Sequence, residues 1–151
     1  MRIKARFRVS LLLAATAFLV VSGCSTTRSA SDYDGTAKFY TYTTFAVKEP
    51  RPELAEGSAD LVLTGKAIET SLQHKGFEPV SNPAKADFVV DFSFDSGAHP
   101  RGALSIDIID QRTQRPVWHG YSKQALAPSE VPRIQQTVAD ILSWFPPGHA
   151  Q

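Results

Sequence analysis

Between Ala86 and Asp95 apolar and polar residues alternate, with Val89 alone out of phase. Phe88, Val90, Phe92 and Phe94 fall on one side, Asp87, Asp91, Ser93 and Asp95 on the other. A period of two is that of a strand with one buried and one wet face. Such a strand cannot stand alone, because three phenylalanine rings need both neighbouring strands and a covering layer. The residues that follow supply the neighbours. Ser96-Gly97-Ala98-His99-Pro100-Arg101-Gly102 is rich in turn formers, and Ala103–Asp110 carries Leu104, Ile106 and Ile108 on one face. Gln111 to Arg115 reads as a hairpin loop and Pro116 to Ala125 as the next strand. Upstream, Tyr40 to Val47 is rich in aromatics and Thr, as strands are, and Glu49-Pro50-Arg51-Pro52 closes it.

The covering layer comes from two helical patterns. From Asp60 to Lys75, Leu61, Gly65, Ile68 and Leu72 recur at helical spacing, and Gly76 offers the left-handed stop. From Ser129, a good N-cap, Ile134, Val138, Ile141, Leu142 and Phe145 form a second stripe, which Pro146-Pro147 forbids to continue. The expected fold is therefore α+β, a two-layer sandwich of a four-stranded sheet with two helices on one face, in the order β-α-β-β-β-α. The register of the last strand has two solutions. Trp118, Gly120 and Ser122 facing the helices is preferred, with Gly120 letting a helix backbone approach; Val117 and Tyr121 facing inward is the other.

The N-terminus does not belong to this domain. Arg2, Lys4, Arg6 and Arg8 precede an apolar run from Val9 to Val21, too short to span a membrane but right for a signal peptide. The run ends in Val21-Ser22-Gly23-Cys24, and Cys24 is the only cysteine of the chain. An ordinary signal peptide followed by an unrelated cysteine would also fit. The better match is the bacterial lipobox, which the four residues resemble and which implies a diacylglyceryl group on the Cys24 thiol. Residues 1–23 are then a signal peptide, 24–34 the lipidated N-terminus and tether, 35–147 one α+β domain and 148–151 a tail. A flexible tether from Ser25 to Ser31 would span only about 15 Å. By resemblance to sorted lipoproteins, Ser25 in place of Asp favours the outer membrane, with the domain facing the periplasm.

A series of short motifs extends the resemblance to nearly the whole remaining chain. Tyr33-Asp34, Thr44-Phe45-Ala46, Ala67-Ile68-Glu69, Lys75-Gly76-Phe77 and Ala86-Asp87 come first. Gly102-Ala103-Leu104-Ser105-Ile106-Asp107, Asp110-Gln111-Arg112-Thr113, Val117-Trp118-His119-Gly120 and Phe145-Pro146-Pro147 follow. In this order they resemble the lipoprotein family known as domain of unknown function 4136. Val47 departs from a frequent Trp and Gly35 from a frequent Pro. The resemblance implies an envelope location and the same element order, and it brings no substrate, cofactor or catalytic residue.

The residues themselves limit the chemistry. With 16 Lys and Arg against 15 Asp and Glu, nothing points to nucleic acid. Asp91, Asp95 and Asp107 should share the wet sheet face, with His119 and Lys123 on the strand beyond. Such a row could ligate a metal or move protons, but a solvated face with cross-strand charge pairs explains it equally. His74 suits the end of a helix, while His99 and His149 have no neighbours in sequence. Tyr40, Tyr42 and Tyr121 offer ring surfaces, and no nucleophile motif or phosphate loop appears. The expectation is a non-enzymatic module without cofactor, held to the membrane through Cys24 and binding another envelope protein. The alternatives are a carrier of lipid or another apolar ligand between sheet and helices, and a small hydrolase using the Asp row.

Overall fold

The computed structural model describes residues 29–48, 58–94, 102–126 and 131–146. Cys24, Asp95, His99, Ser129, Pro147 and His149, together with the signal peptide, lie outside them. The elements are β1 (Ser29–Tyr33), β2 (Thr44–Val47), α1 (Ser58–His74), β3 (Glu78–Pro79), β4 (Phe88–Phe94), β5 (Ala103–Asp110), β6 (Arg115–Ala125) and α2 (Val131–Leu142). They build an α+β fold with a mixed sheet ordered β1-β6-β5-β4-β2-β3. β4, β5 and β6 form an antiparallel meander, and β1 adds antiparallel to β6. β2 lies parallel to both β4 and β3, with α1 between β2 and β3 in the chain.

The sheet therefore has six strands where the sequence reading expected four. Both additions are edge strands that lack the apolar alternation by which a strand is recognised. β3 is two residues long. β1 falls within residues 24–34, expected to be tether, and corrects that boundary: its five residues pair with Ser122 to Trp118 of β6. Backbone hydrogen bonds rather than side-chain burial hold such a strand, so composition is silent about it.

The strand expected over Tyr40–Val47 is shorter than its composition suggests. Phe39–Thr41 is a 3-10 turn, with Thr41 N donating to Lys38 O at 2.9 Å and Tyr42 N to Phe39 O at 3.1 Å. Aromatic and Thr residues fit either conformation, and here local hydrogen bonds take Tyr40 and Thr41, while the strand begins at Thr44. The helix ends behave differently from each other. α1 stops as expected: Gly76 has φ +90°, and Phe77 N donates back to Leu72 O at 3.1 Å. α2 ends at Leu142, so Phe145 lies beyond the helix rather than on its stripe. A turn in which Phe145 N donates to Leu142 O at 3.0 Å carries its ring back into the core.

That core lies between the helices and one face of the sheet. Phe45, Phe88, Val90, Leu104, Ile106, Ile108 and Trp118 from the strands meet Ile68, Leu72, Ile134, Val138 and Ile141 from the helices. Phe145 sits at its centre, its ring centroid 5.4 Å from Trp118, 5.5 Å from Phe88 and 5.8 Å from both Phe39 and Phe77. The preferred phase of the last strand holds, since Trp118, Gly120 and Ser122 are buried while His119 and Tyr121 are partly open.

Candidate functional site

The sheet face opposite the helices carries the acidic row. Register places Asp91 of β4 directly across from Asp107 of β5, and Asp107 across from His119 of β6. His119 in turn stands across from Asp32 of β1. Lys48, just past β2, closes the other end: its Nζ lies 2.8 Å from Asp91 Oδ2. Asp107 Oδ1 is 2.7 Å from His119 Nδ1. The His119 ring lies 5.7 Å from that of Tyr121 on the same face. A ribbon of alternating chemistry thus crosses the sheet, and the side chains of Lys48, Asp91, Asp107 and His119 keep between 34% and 50% of their surface in water.

The structure brings together Asp91, Asp107 and His119 as the sequence reading expected. Lys123 does not join them. It stands four residues beyond His119 on β6, about 13 Å away at the rise of a strand. Lys48 and Asp32 were not anticipated, because their places depend on β2 being parallel to β4 and on β1 existing at all. Chemically, the ribbon can pair charges and accept hydrogen bonds from a partner. Among the described residues no group of three or more His, Cys, Asp or Glu could hold a metal ion. His74 sits exposed in the last turn of α1, and Tyr40 is exposed on its turn.

Two other carboxylates prove to be structural. Asp87 Oδ2 accepts from the N–H and hydroxyl groups of both Thr43 and Thr44, at 2.9–3.0 Å. Burial raises its pKa, but these four donors outweigh burial and hold it below the ordinary carboxylate value. Asp110 is buried at the tip of the β5–β6 hairpin. Its Oδ1 accepts from Thr113 N at 2.7 Å and Thr113 Oγ1 at 3.0 Å, and its Oδ2 from Tyr42 OH at 2.7 Å. Here too burial raises the pKa, and the hydrogen bonds, with help from Arg112, bring it below the usual value. The Tyr42 phenol is pushed upward by burial and by Asp110, so it remains a donor. Sequence reasoning missed both clusters. The signal available was Asp-x-x-Thr at residues 110–113, the spacing of a side-chain-capped turn.

The described residues also include an open cavity of about 210 Å³ beside Ser29, Ser122 and Asp140, and a groove of about 550 Å³ between the outer faces of α1 and α2. The cavity lies where the β1–β6 edge of the sheet meets α2 and is lined mainly by polar side chains, and the groove is lined by helix residues alone. No helix among the described residues is long and apolar enough to cross a membrane.

Several solved structures share this fold. A PDZ domain protein from Parabacteroides distasonis superposes with a TM-score of 0.60 at 16% identity, covering 82% of this chain and 36% of that one. The chain thus spans about a third of that protein's length. A DUF4136 family protein from Bacteroides thetaiotaomicron gives 0.53 at 11% identity, covering 78% and 92%. PelC from Paraburkholderia phytofirmans, a dodecamer, gives 0.50 at 12% identity, covering 76% and 94%. Comparison with curated proteins finds no match. The family model for domain of unknown function DUF4136 matches residues 29–147. That match runs from the first residue of β1 to beyond α2 and includes every described element, and the chain belongs to the DUF4136 family.

Proposed function

We propose that this chain is a lipid-anchored module of the bacterial envelope that binds another envelope protein without catalysing a reaction. Cys24 carries the lipid, the outer membrane is its site, and the domain faces the periplasm. The observation that carries the binding role is the open sheet face. Its ribbon from Lys48 through Asp91 and Asp107 to His119 is half in water, and among the described residues no helix packs on it. A face of carboxylates, a lysine and an imidazole flanked by Tyr121 suits a polar protein surface. The alternative, an apolar ligand held between sheet and helices, has less support. The rings of Phe88, Phe145 and Trp118 pack against one another where such a ligand would lie.

Two experiments test this reading. Replacing Cys24 by Ser should abolish incorporation of labelled fatty acid and leave an unprocessed precursor; normal processing and labelling would refute the anchor. A photo-crosslinking residue at Ser93 or Tyr121 of the lipoprotein in cells should capture a protein that the same probe at Lys66, on α1, does not. Equal capture from both faces would refute the sheet as the binding surface, and a stoichiometric ligand in a delipidating extract would favour the carrier instead.

A further inference from the structure

Ser29 is the first described residue, five steps along the chain from Cys24, and its hydroxyl is held on two sides. It donates to Asp140 O at 3.1 Å and accepts from Nε1 of Trp144 at 3.0 Å. Ser29 itself is buried, whereas Trp144 leaves 46% of its surface in water. The two facts together define what the indole shows to its surroundings. Its one polar group is already satisfied inside the protein, so what it presents outward is hydrocarbon ring. Burying that ring in a membrane interface would cost no unmade hydrogen bond.

The position matters as much as the chemistry. Only five residue steps separate Cys24 from Ser29, at most about 18 Å of fully extended chain. Whatever fixes Cys24 in a bilayer fixes this corner of the domain beside the headgroups. We propose that Trp144 is a second membrane contact, its indole resting in the interfacial layer of the phospholipid bilayer that holds Cys24. This rests on the reading of Cys24 as the lipid anchor. The ring is held to Ser29, five residue steps from the anchor, so the two contacts together restrict how the domain tilts. They leave the charged sheet face free to meet a partner in the aqueous phase.

The chain has two tryptophans, and they answer separately. Trp118 is only 1% exposed within the core, so a quencher in the membrane or in solution reads Trp144. The lipoprotein purified from membranes is reconstituted in phosphatidylcholine vesicles with brominated acyl chains. The expected result is loss of the Trp144 share of the emission, absent in Trp144→Phe. In unbrominated vesicles iodide should quench the wild type much less than it does the chain from Ser25, expressed without residues 1–24, in solution. Equal emission from brominated and unbrominated vesicles, or full access of iodide to the anchored protein, would overturn the proposal. The mass of the purified chain reports separately whether Cys24 is acylated. If it is not, the anchor reading fails on its own, and coupling the Cys24 thiol to a maleimide lipid lets the same quenching decide whether the corner contacts the bilayer.

Discussion

The indole of Trp118 lies across Gly120, its neighbour on the same face of β6. A Cβ built on Gly120 would stand 2.8 Å from Cζ2 of that ring and 2.7 Å from Cγ2 of Ile141 on α2. Neither atom can withdraw, because Trp118 and Ile141 are both buried in the core. Gly120→Ala should therefore destabilise the domain by about 1–3 kcal/mol, the cost of overpacking a filled core. Chemical denaturation of the variant measures it, and adding Ile141→Leu, which removes the branched Cγ2, should recover part of the loss. An unchanged midpoint would contradict this packing.

Phe145 tests whether the end of α2 is structural. Removing a ring that four other aromatics surround should cost about 3–5 kcal/mol for Phe145→Ala, and Leu142→Ala about 2–5 kcal/mol. These losses approach the whole stability of a small domain. The double variant should be largely unfolded at room temperature by circular dichroism. If it melted at the wild-type temperature, the stripe would be a docking surface rather than a core element.

Acid should weaken the domain through Asp87 and Asp110. Both carboxyls titrate lower in the folded chain than in the unfolded one. Their contribution is present above the unfolded value, about 3.9, and is lost as pH falls through the lower folded value. Urea midpoints should be steady near neutrality and fall below about pH 4. Asp87→Asn with Asp110→Asn should be weaker at neutral pH and flatter in acid. Tyr42→Phe should cost about 1.5–3 kcal/mol, because it removes a hydrogen bond to a charged acceptor. Acid dependence identical to the wild type in the double Asn variant would refute this assignment.

The ribbon on the open face should behave in the opposite way. Asp91→Asn removes a partly exposed ion pair with Lys48 and Asp107→Asn a partly exposed contact with His119, so each should change stability by less than about 1 kcal/mol. Capture of the partner by a crosslinker at Tyr121 should fall in both. Stoichiometric divalent metal in protein purified without added metal, lost in both variants, would instead make the row a metal site.

The two structural carboxylates and the ribbon differ in how far the sequence reveals them. Alternation from Phe88 to Phe94 is enough by itself to make Asp91 a surface residue, and the same argument serves Asp107. It cannot distinguish Asp87 from Asp91, since both occupy the wet phase of one strand. What separates them is the approach of Thr43 and Thr44 from a strand more than forty residues away.

Local pattern alone was enough for β4, β5, β6 and most of both helices. Phe88, Ile106, Ile68 and Val138 must each find an apolar environment, and their spacing dictates which element can supply it. Gly76 likewise declares the end of α1, because its left-handed backbone is a local property. The membership of β1 and β3, the place of Phe145 beyond its helix, and the meeting of Lys48 with Asp91 and of Ser29 with Trp144 were decided only by the tertiary structure. In each of these the stabilising partner is remote in sequence. For the edge strands it is a backbone hydrogen bond, which every residue type except proline can donate. Side-chain composition records burial, and it carries no trace of which backbone lies alongside.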